Sequence, residues 1–244
     1  MTELKKLSNQ DIPTHPLFES DPGAWRMLVT SIHRKVYARD KVVVCHGDAA
    51  HSLWLVYGGW IKLVRQTPDG KETIIGLCTE GDIFGEAALF PNASYPYQAE
   101  VIAGQAELAR IPAKEIQAIA KQENTFSSTL MTLLNERNAQ IQLRLEHATT
   151  MSAAQRLGCF ILRLCRNSGN DSAKFQIPVE KHILASYLGM KPETLSRSQQ
   201  QLKEMGVEIA GANVTVASVE ALKEFVCGSC SESGTGTCDI EKNS

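Results

Sequence analysis

Residues 180–216 read EKHILASYLGMKPETLSRSQQQLKEMGVEIAGANVTV, and their turn residues divide the stretch into two helices and a hairpin. Gly189 is suited to the left-handed residue that ends a first helix over residues 180–188, and Pro192 is suited to the first turn of a second helix. The short turn between them, around residues 189–191, is the spacing of a helix-turn-helix. Two short β-branched runs then flank residues 210–213, which predicts a hairpin, or wing, after the second helix.

The second of these helices carries leucines on one face and polar side chains on the other. Leu195 and Leu202 can pack inward, while Glu193, Ser196 and Arg197 fall at i, i+3 and i+4 on the outward side. Arginine can bond both acceptors of guanine, and glutamate can accept from the amino group of cytosine. The alternative is a solvated face with an ion pair between Glu193 and Arg197. The predicted contacts to double-stranded DNA are Glu193, Thr194, Ser196 and Arg197.

Charge is divided unevenly along the 244 residues, although the net charge is only −2. Residues 144–206 carry nine Lys or Arg against five acidic residues, so the rest of the chain is acidic. A basic segment joined to an acidic one is typical of a nucleic-acid-binding half attached to a second domain. The sequence has no apolar run long enough to cross a membrane, no signal peptide and no catalytic motif, so we expect a cytoplasmic protein that is not an enzyme.

Residues 36–111 have the pattern of short strands separated by turns. The predicted strands are 42–45, 53–57, 60–64, 73–77 and 106–110. Turn residues stand where each strand should reverse, at 47–48, 58–59, 68–70 and 81–82. Repeated short strands with glycine at the corners predict a small barrel or sandwich.

A helical period begins at Pro112, and no Gly or Pro interrupts it before Gly158. Within it, side chains on alternating three- and four-residue spacings form a heptad seam. The seam runs over Met131, Leu134, Asn138, Ile141, Leu145 and Ala148, and the first five are the predicted dimer contacts. Because a polar residue such as Asn138 at a seam position favours a two-stranded partner, we predict a parallel homodimer. The alternative is an amphipathic helix packed on its own domain.

These patterns divide the chain into four parts. We predict a β-roll domain over residues 1–111, a dimerisation helix over 112–149, a winged-helix DNA-binding domain over 150–226 and a cysteine-containing tail over 227–244. The predicted fold is therefore α+β, with an N-terminal double-stranded β-barrel, a long dimerisation helix and a C-terminal winged helix-turn-helix.

Two motifs combine with this architecture in a specific way. Residues 81–86, GDIFGE, lie in the predicted barrel, and residues 193–197, ETLSR, lie in the second helix of the helix-turn-helix. The combination resembles the Crp/Fnr transcription regulators over residues 17–226. The resemblance implies a barrel of the cyclic-nucleotide-binding type and a homodimer that binds a twofold-symmetric DNA site and acts on RNA polymerase. Glu-x-x-Ser-Arg is the Fnr type of reader, which implies a TTGAT-like palindrome.

In that family, the position of residues 85–86 belongs to the cyclic-nucleotide pocket, where an Arg-Ser pair holds the phosphate. By the family's spacing the pair falls on residues 96–97, which are Pro and Tyr, and no Lys or Arg lies between residues 71 and 110. Burying a phosphate without a cation is costly. We therefore expect cyclic AMP not to be the ligand and Gly85 and Glu86 to be scaffold residues. A cyclic-nucleotide-binding module that controls an enzyme is the alternative of a different class.

Three of the seven cysteines lie within twelve residues near the end of the sequence, at Cys227, Cys230 and Cys238. The two-residue gap lets the first two thiolates face one metal centre, and a zinc site or a [4Fe-4S] cluster has four ligands. The tail resembles the Bacillus branch of Fnr, although its second gap is longer. That resemblance implies an oxygen-sensitive [4Fe-4S] cluster held by the three cysteines and a carboxylate.

No motif assigns the fourth ligand. The candidates are Glu146, Asp171, Asp239, Glu241, Cys159 and Cys165. Because Cys159 and Cys165 are six residues apart on one helix, they do not face together, and packing roles are favoured for both. For the signal, the alternatives are a zinc site, a thiol–disulfide switch, haem ligation by one of the six histidines, as in nitric-oxide or carbon-monoxide sensors, or a signal received elsewhere in the chain.

Overall fold

The computed structural model describes residues 5–6, 22–165 and 172–227. The chain forms two compact units, one ending at Asn138 and the other beginning at Ala139. The predicted α+β architecture is confirmed, with an antiparallel sheet, long helices and a C-terminal helix-turn-helix. In the described part of the chain, none of the helices combines the length and apolar character that crossing a membrane requires.

The helices within these ranges are α1 (Pro22–Leu28), α2 (Ala113–Gln122), α3 (Asn124–Thr150), α4 (Ala153–Cys165), α5 (Lys181–Tyr187), α6 (Pro192–Glu204) and α7 (Val219–Cys227). Short 3-10 helices occur at Val29–Ser31 and Glu86–Leu89. The strands are β1 (Lys5–Lys6), β2 (His33–Ala38), β3 (Val42–Val44), β4 (Ser52–Gln66), β5 (Glu72–Cys78), β6 (Ile83–Phe84), β7 (Gln98–Pro112), β8 (Ala173–Gln176), β9 (Val207–Ala210) and β10 (Asn213–Val216).

The first unit is built on an antiparallel sheet with the strand order β1-β2-β7-β4-β5. Strand β3 pairs with β7, and β6 pairs with β4. The turn predicted at residues 68–70 does join β4 to β5. There the Thr67 N–H donates to the Lys71 carbonyl at 2.9 Å, and Gly70 has a φ of 79°.

The reversal predicted at residues 58–59 is wrong, because β4 continues through both glycines. The register between β4 and β7 shifts here, between Val56 and Trp60. Gly59 has a φ of 90°, and a Cβ on it would lie 2.5 Å from the carbonyl oxygen of Gln105. The glycines therefore permit a bulge and a close approach of two long strands.

The helix predicted without interruption from Pro112 is interrupted at Glu123, which is extended with φ −116° and ψ 102°. The N–H of Glu123 still donates to the Ile119 carbonyl at 2.8 Å and so ends α2. Helix α3 then turns Phe126 and Leu130 into the hydrophobic cluster that already contains Ile119. Since tertiary packing supplies most of the stability of a helix, burial of these side chains overrides the continuous helical period.

The second unit contains the predicted helix-turn-helix and wing. Gly211 has a φ of 62° in the turn between β9 and β10, so the predicted hairpin is confirmed. Strand β8, which the sequence pattern did not indicate, pairs with the other side of β10. Helix α4 packs against both α6 and α7. Its Gly158 needs to be glycine, because a Cβ there would lie 2.7 Å from Cγ2 of Val226.

Candidate functional site

Helix α6 has one buried and one exposed face, as its sequence predicts. Leu195 and Leu202 are both fully buried. Glu193 and Arg197 are exposed and Ser196 is half-buried. The buried leucines fix the rotation of the helix, so the polar side chains at its N-terminal end face outward together.

The entry into α6 follows the predicted turn. Gly189 has a φ of 64°, and the N–H of Met190 donates to the Ala185 carbonyl at 3.0 Å, which closes the end of α5. Pro192 then occupies the first turn of α6. This turn places the N-terminus of α6 at the surface, where the half-buried Thr194 and its exposed neighbours lie.

Hydrogen bonding defines the chemistry of the outward face. The Ser196 hydroxyl donates to the Pro192 carbonyl at 2.9 Å, so its oxygen keeps its acceptor capacity for a ligand. Among the described residues, no ion pair joins Glu193 to Arg197, so their charged groups are not used by each other. A free guanidinium, a free carboxylate and a hydroxyl acceptor are the groups that read base edges in a major groove.

Several contacts in the second unit hold this helix-turn-helix against its neighbouring helices. The Arg144 guanidinium lies 4.6 Å from the centre of the Tyr187 ring, which makes an edge contact with Phe160. The Nε of Arg156 donates to the Leu188 carbonyl at 3.1 Å, and its Nη1 donates to the Met151 carbonyl at 3.0 Å. The position of α5 is thus coupled to the end of α3 and to α4.

The predicted heptad seam is mostly exposed on α3. Met131, Ile141 and Leu145 are 73%, 57% and 69% exposed, and they are among the largest exposed apolar side chains. Asn138 is exposed and Leu134 is half-buried. An apolar stripe in water along one helix is typical of a protein–protein contact, whereas the alternative of a helix packed on its own domain requires these side chains to be buried.

Two side chains of the protein itself, those of Tyr97 and Arg137, contact the turn at residues 85–86. The Gly85 N–H donates a hydrogen bond to the Tyr97 hydroxyl at 2.7 Å. The same hydroxyl donates to Glu86 Oε2 at 3.2 Å. Arg137, on α3, forms an ion pair with Glu86 Oε1 at 3.3 Å. The cation that is missing between residues 71 and 110 is therefore supplied by α3, about fifty residues after Glu86 in the chain.

Burial and neighbouring charges shift the pKa values of both Tyr97 and Arg137. Burial raises the pKa of the Tyr97 phenol well above its ordinary value, and the charge of Glu86 raises it further. Burial opposes the charge of Arg137, but the negative groups beside it, Glu86 first, outweigh burial and raise the pKa of the guanidinium. Tyr97 thus stays a neutral donor and Arg137 stays a cation. The network satisfies Glu86 without an external ligand.

Replacing Tyr97 by phenylalanine is expected to lower the free energy of unfolding by about 1–3 kcal/mol, because the buried Gly85 N–H loses its acceptor. Urea denaturation followed by tryptophan fluorescence measures this change. Tyr37→Phe is the matched control: its ring is half-buried, and within the described residues its hydroxyl has no hydrogen-bond partner. Equal stability of Tyr97→Phe and the wild type would contradict the assigned role of the hydroxyl.

The cysteines whose side chains are described differ in their exposure to solvent. Cys78 and Cys165 are buried and Cys45 is exposed. Cys159 is half-buried, and its Sγ lies 3.8 Å from Nδ1 of His147. The backbone of α7 ends at Cys227, whereas Cys230 and Cys238 lie outside the described residues. Within the described part of the chain, no group of three or more His, Cys, Asp or Glu side chains could hold a metal ion.

Comparison with known families matches both halves of this architecture. Residues 34–123 match the cyclic nucleotide-binding domain family, and residues 155–225 match the Crp-like helix-turn-helix domain family. The chain belongs to the Crp/Fnr family of transcription regulators. This regulator therefore binds DNA through the helix-turn-helix that contains α5 and α6.

The matches to individual relatives extend over most of the length of this chain. It is 28% identical to the cyclic AMP receptor protein of Thermus thermophilus over 215 residues, which are 87% of this chain and 97% of that protein. It is 25% identical to the anaerobic regulatory protein of Pasteurella multocida, over 79% of this chain and 71% of that protein. The structure of FixK2 from Bradyrhizobium japonicum has the same fold, with a TM-score of 0.70 and 19% identity over 79% of this chain and 96% of that one.

Sequence reasoning missed two pairings. The sequence pattern predicts neither the contact of Arg137 with Glu86 nor that of His147 with Cys159, because in each case the partners lie on different elements and share no local motif. The only sequence signal for the first pair was the absence of Lys and Arg between residues 71 and 110, which leaves Glu86 in need of a distant cation.

Proposed function

We propose that this regulator works as a homodimer, reads a TTGAT-like palindrome and acts on RNA polymerase in response to oxygen. The observation that carries the DNA-reading part is the outward face of α6, where Glu193 and Arg197 are exposed above fully buried leucines. Its Glu-x-x-Ser-Arg pattern is the Fnr type of reader, which supports the TTGAT half-site.

Each side chain on this face has a distinct part in reading. Arg197 can donate two parallel hydrogen bonds to the O6 and N7 of guanine, and Glu193 can accept from the amino group of cytosine. Ser196, whose proton is already donated to Pro192, offers an acceptor to a base amino group. Thr194 is half-buried beside them and can contact a phosphate or a thymine methyl group.

Dimerisation is supported by the exposed seam on α3. Two parallel copies can bury Met131, Ile141 and Leu145 against each other, and Asn138 can pair with its counterpart and fix the register. A dimer with twofold symmetry reads two half-sites that are about 34–36 Å apart on one face of the DNA. The seam therefore explains why the DNA target is expected to be a palindrome.

The signal is assigned to the tail cysteines. We infer that Cys227, Cys230 and Cys238 hold a [4Fe-4S] cluster with a fourth ligand from elsewhere in the chain, since thiolates are the usual ligands of such clusters. When bound, the cluster would supply a centre that oxygen can degrade. Cyclic AMP is not proposed as the signal, because Tyr97 and Arg137 already satisfy Glu86. The two named relatives, a cyclic AMP receptor and an anaerobic regulator, do not favour one signal over the other.

The path from the tail to the DNA reader runs within the second unit. Helix α7, which leads into the tail, packs on α4, and α4 packs on α6. A change in the position of α7 therefore acts on the helix that supports Leu195 and Leu202. Because both α6 helices must dock at the half-site spacing, a small rotation of each is enough to weaken binding.

This proposal is tested with anaerobically purified protein and a duplex that contains a TTGAT palindrome. We expect a brown protein with about four irons per chain, whose affinity for the duplex in a gel-shift assay changes at least tenfold after exposure to air. Cys230→Ala is expected to bind equally in air and without oxygen, while the neighbouring Ser229→Ala keeps the response. A normal oxygen response of Cys230→Ala would refute the tail sensor, and failure to bind the palindrome would refute the assigned target.

A further inference from the structure

A cavity opens on the surface of the first unit, apart from the turn at Glu86. Its volume is about 320 Å³, which lies within the range of about 300–1,000 Å³ that small-molecule sites occupy. The described residues that line it all belong to the first unit, and Glu86 is not among them. Aromatic and polar side chains both contribute to the lining, so the cavity suits a ligand that is partly apolar and partly polar.

Three aromatic side chains, Tyr37, Trp54 and Tyr95, line this cavity. Trp54 and Tyr95 are buried. The Trp54 ring makes an edge contact with Tyr37, with the ring centres 6.2 Å apart, and it stacks on Phe84 at 6.1 Å. Because Trp54 is packed on two sides, it offers a fixed apolar surface, which suits a planar ring in the ligand.

A buried serine links the aromatic side of the cavity to a cation. The Tyr95 hydroxyl donates to the Ser52 carbonyl at 2.8 Å and accepts from the Ser52 N–H at 3.1 Å. Ser52 is only 1% exposed, and its Oγ accepts a hydrogen bond from the Nε of Arg110 at 2.7 Å. Since Ser52 is held by Tyr95, its hydroxyl fixes the guanidinium of Arg110 at one edge.

The rest of the Arg110 guanidinium keeps its donors for a ligand. Arg110 lines the cavity and is exposed, and among the described residues no carboxylate forms an ion pair with it. Only its Nε is used by Ser52, so the N–H groups of both Nη atoms are available. A planar pair of charged donors matches the two oxygens of a carboxylate.

Two further groups define which anion fits this cavity. Burial raises the pKa of the Tyr37 phenol, although the charge of Arg110 opposes the shift, so the hydroxyl stays a protonated donor. Asp48 also lines the cavity, and its side chain is exposed. A carboxylate at this position repels a second negative charge on the ligand. The lining therefore favours a monoanion over a phosphate or a dicarboxylate.

Backbone hydrogen bonds hold the loop that borders the cavity. The Gly47 N–H donates to the Tyr95 carbonyl at 2.9 Å, and the Tyr95 N–H donates to the Asp48 carbonyl at 2.9 Å. The Ala50 N–H donates to the Ala93 carbonyl at 2.8 Å. A loop held in this way does not have to be ordered when a ligand binds, which lowers the cost of binding.

We propose that this cavity binds a small aromatic carboxylate, whose carboxylate accepts hydrogen bonds from the Nη atoms of Arg110 and whose ring packs against Tyr37 and Trp54. The aromatic side chains supply the apolar surface for the ring, and Arg110 supplies the charge. This site is independent of the tail cysteines and of the DNA-reading helix, since the residues that form it all belong to the first unit.

Isothermal titration calorimetry of the full chain with benzoate tests the site. We expect saturable binding of one benzoate per chain. Benzamide, which has the same ring without the charge, and acetate, which has the charge without the ring, should each bind at least tenfold more weakly. Arg110→Gln is expected to weaken benzoate binding at least tenfold. The matched control is Arg65→Gln, which removes an exposed arginine of β4 outside the cavity lining and should leave binding unchanged.

A second variant tests the cavity without touching the cation. Ala49 also lines the cavity, so Ala49→Phe is expected to fill part of it and to weaken benzoate binding at least tenfold. Thermal unfolding checks that both variants are folded.

Three results would overturn the site. Wild-type protein that binds no benzoate at millimolar concentration would show that the cavity does not take this class of ligand. Unchanged binding by Arg110→Gln, or equal binding of benzamide and benzoate, would remove the carboxylate contact with Arg110. Unchanged binding by Ala49→Phe would place the benzoate outside the cavity.

Discussion

Arg197→Ala is expected to reduce the affinity for the TTGAT palindrome by between about 30-fold and about 10⁴-fold. A bidentate arginine–guanine pair contributes about 1–3 kcal/mol of discrimination, and a homodimer makes two such pairs. Arg197 is exposed, so its loss does not affect the packing of α6 on α4. The loss should be the same with and without oxygen, and fluorescence anisotropy with a labelled duplex measures it.

Two controls separate base reading from general charge. Arg197→Lys keeps the charge but not the planar pair of donors, so we expect it to keep non-specific binding and lose preference for the palindrome. Lys203→Ala removes an exposed charge from the last turn of the same helix, and its effect is expected to be equal on specific and random duplexes. Equal discrimination by Arg197→Ala and the wild type would show that α6 does not read bases through this side chain.

Local turn chemistry predicted the DNA-binding half well. Gly189, Pro192 and Gly211 each require a particular backbone geometry, and the structure gives each of them that geometry. These signals act over a few residues, so they can be found from sequence alone. Strand β8 has no such signal, because it is formed through pairing with β10, which lies about forty residues further along the chain.

The same kind of reasoning was less successful in the barrel. The glycines at residues 58–59 indicate a special backbone position, but a reversal and a bulge both use glycine. The deciding fact is the approach of Gln105, which belongs to a strand that starts about forty residues later. The interruption at Glu123 has the same origin, since the period of α2 and α3 is continuous and only the burial of Phe126 in the core shows where the chain turns.

The role of Glu86 in the barrel is decided by contacts with residues that are distant in the sequence. The sequence predicts that Glu86 is a scaffold residue, but the hydrogen bond from Tyr97 and the ion pair with Arg137 that satisfy its carboxylate are found only in the structure. This closed network is one reason why we propose the tail cysteines, and not the barrel, as the site of the signal.

The second large effect is expected at the seam. Leu145→Arg should weaken the homodimer by about 100-fold or more, because burying a leucine contributes about 1.5–3 kcal/mol and each dimer loses two of them. The side chain is 69% exposed in a single chain, so the fold of the monomer should be unaffected. Sedimentation velocity measures the dimer, and thermal unfolding at low protein concentration checks the fold.

Loss of the proposed dimer is also expected to weaken DNA binding. A monomer engages one half-site and loses the effective concentration that the partner provides, so Leu145→Arg should bind the palindrome no better than a single half-site. Gln142→Arg is the matched control, since it adds the same charge at an exposed position that flanks the seam, where charged residues are tolerated. A Leu145→Arg protein that stays dimeric and keeps full affinity would place the dimer contact elsewhere on the chain. In that case the separation of the two α6 helices would not be set by α3.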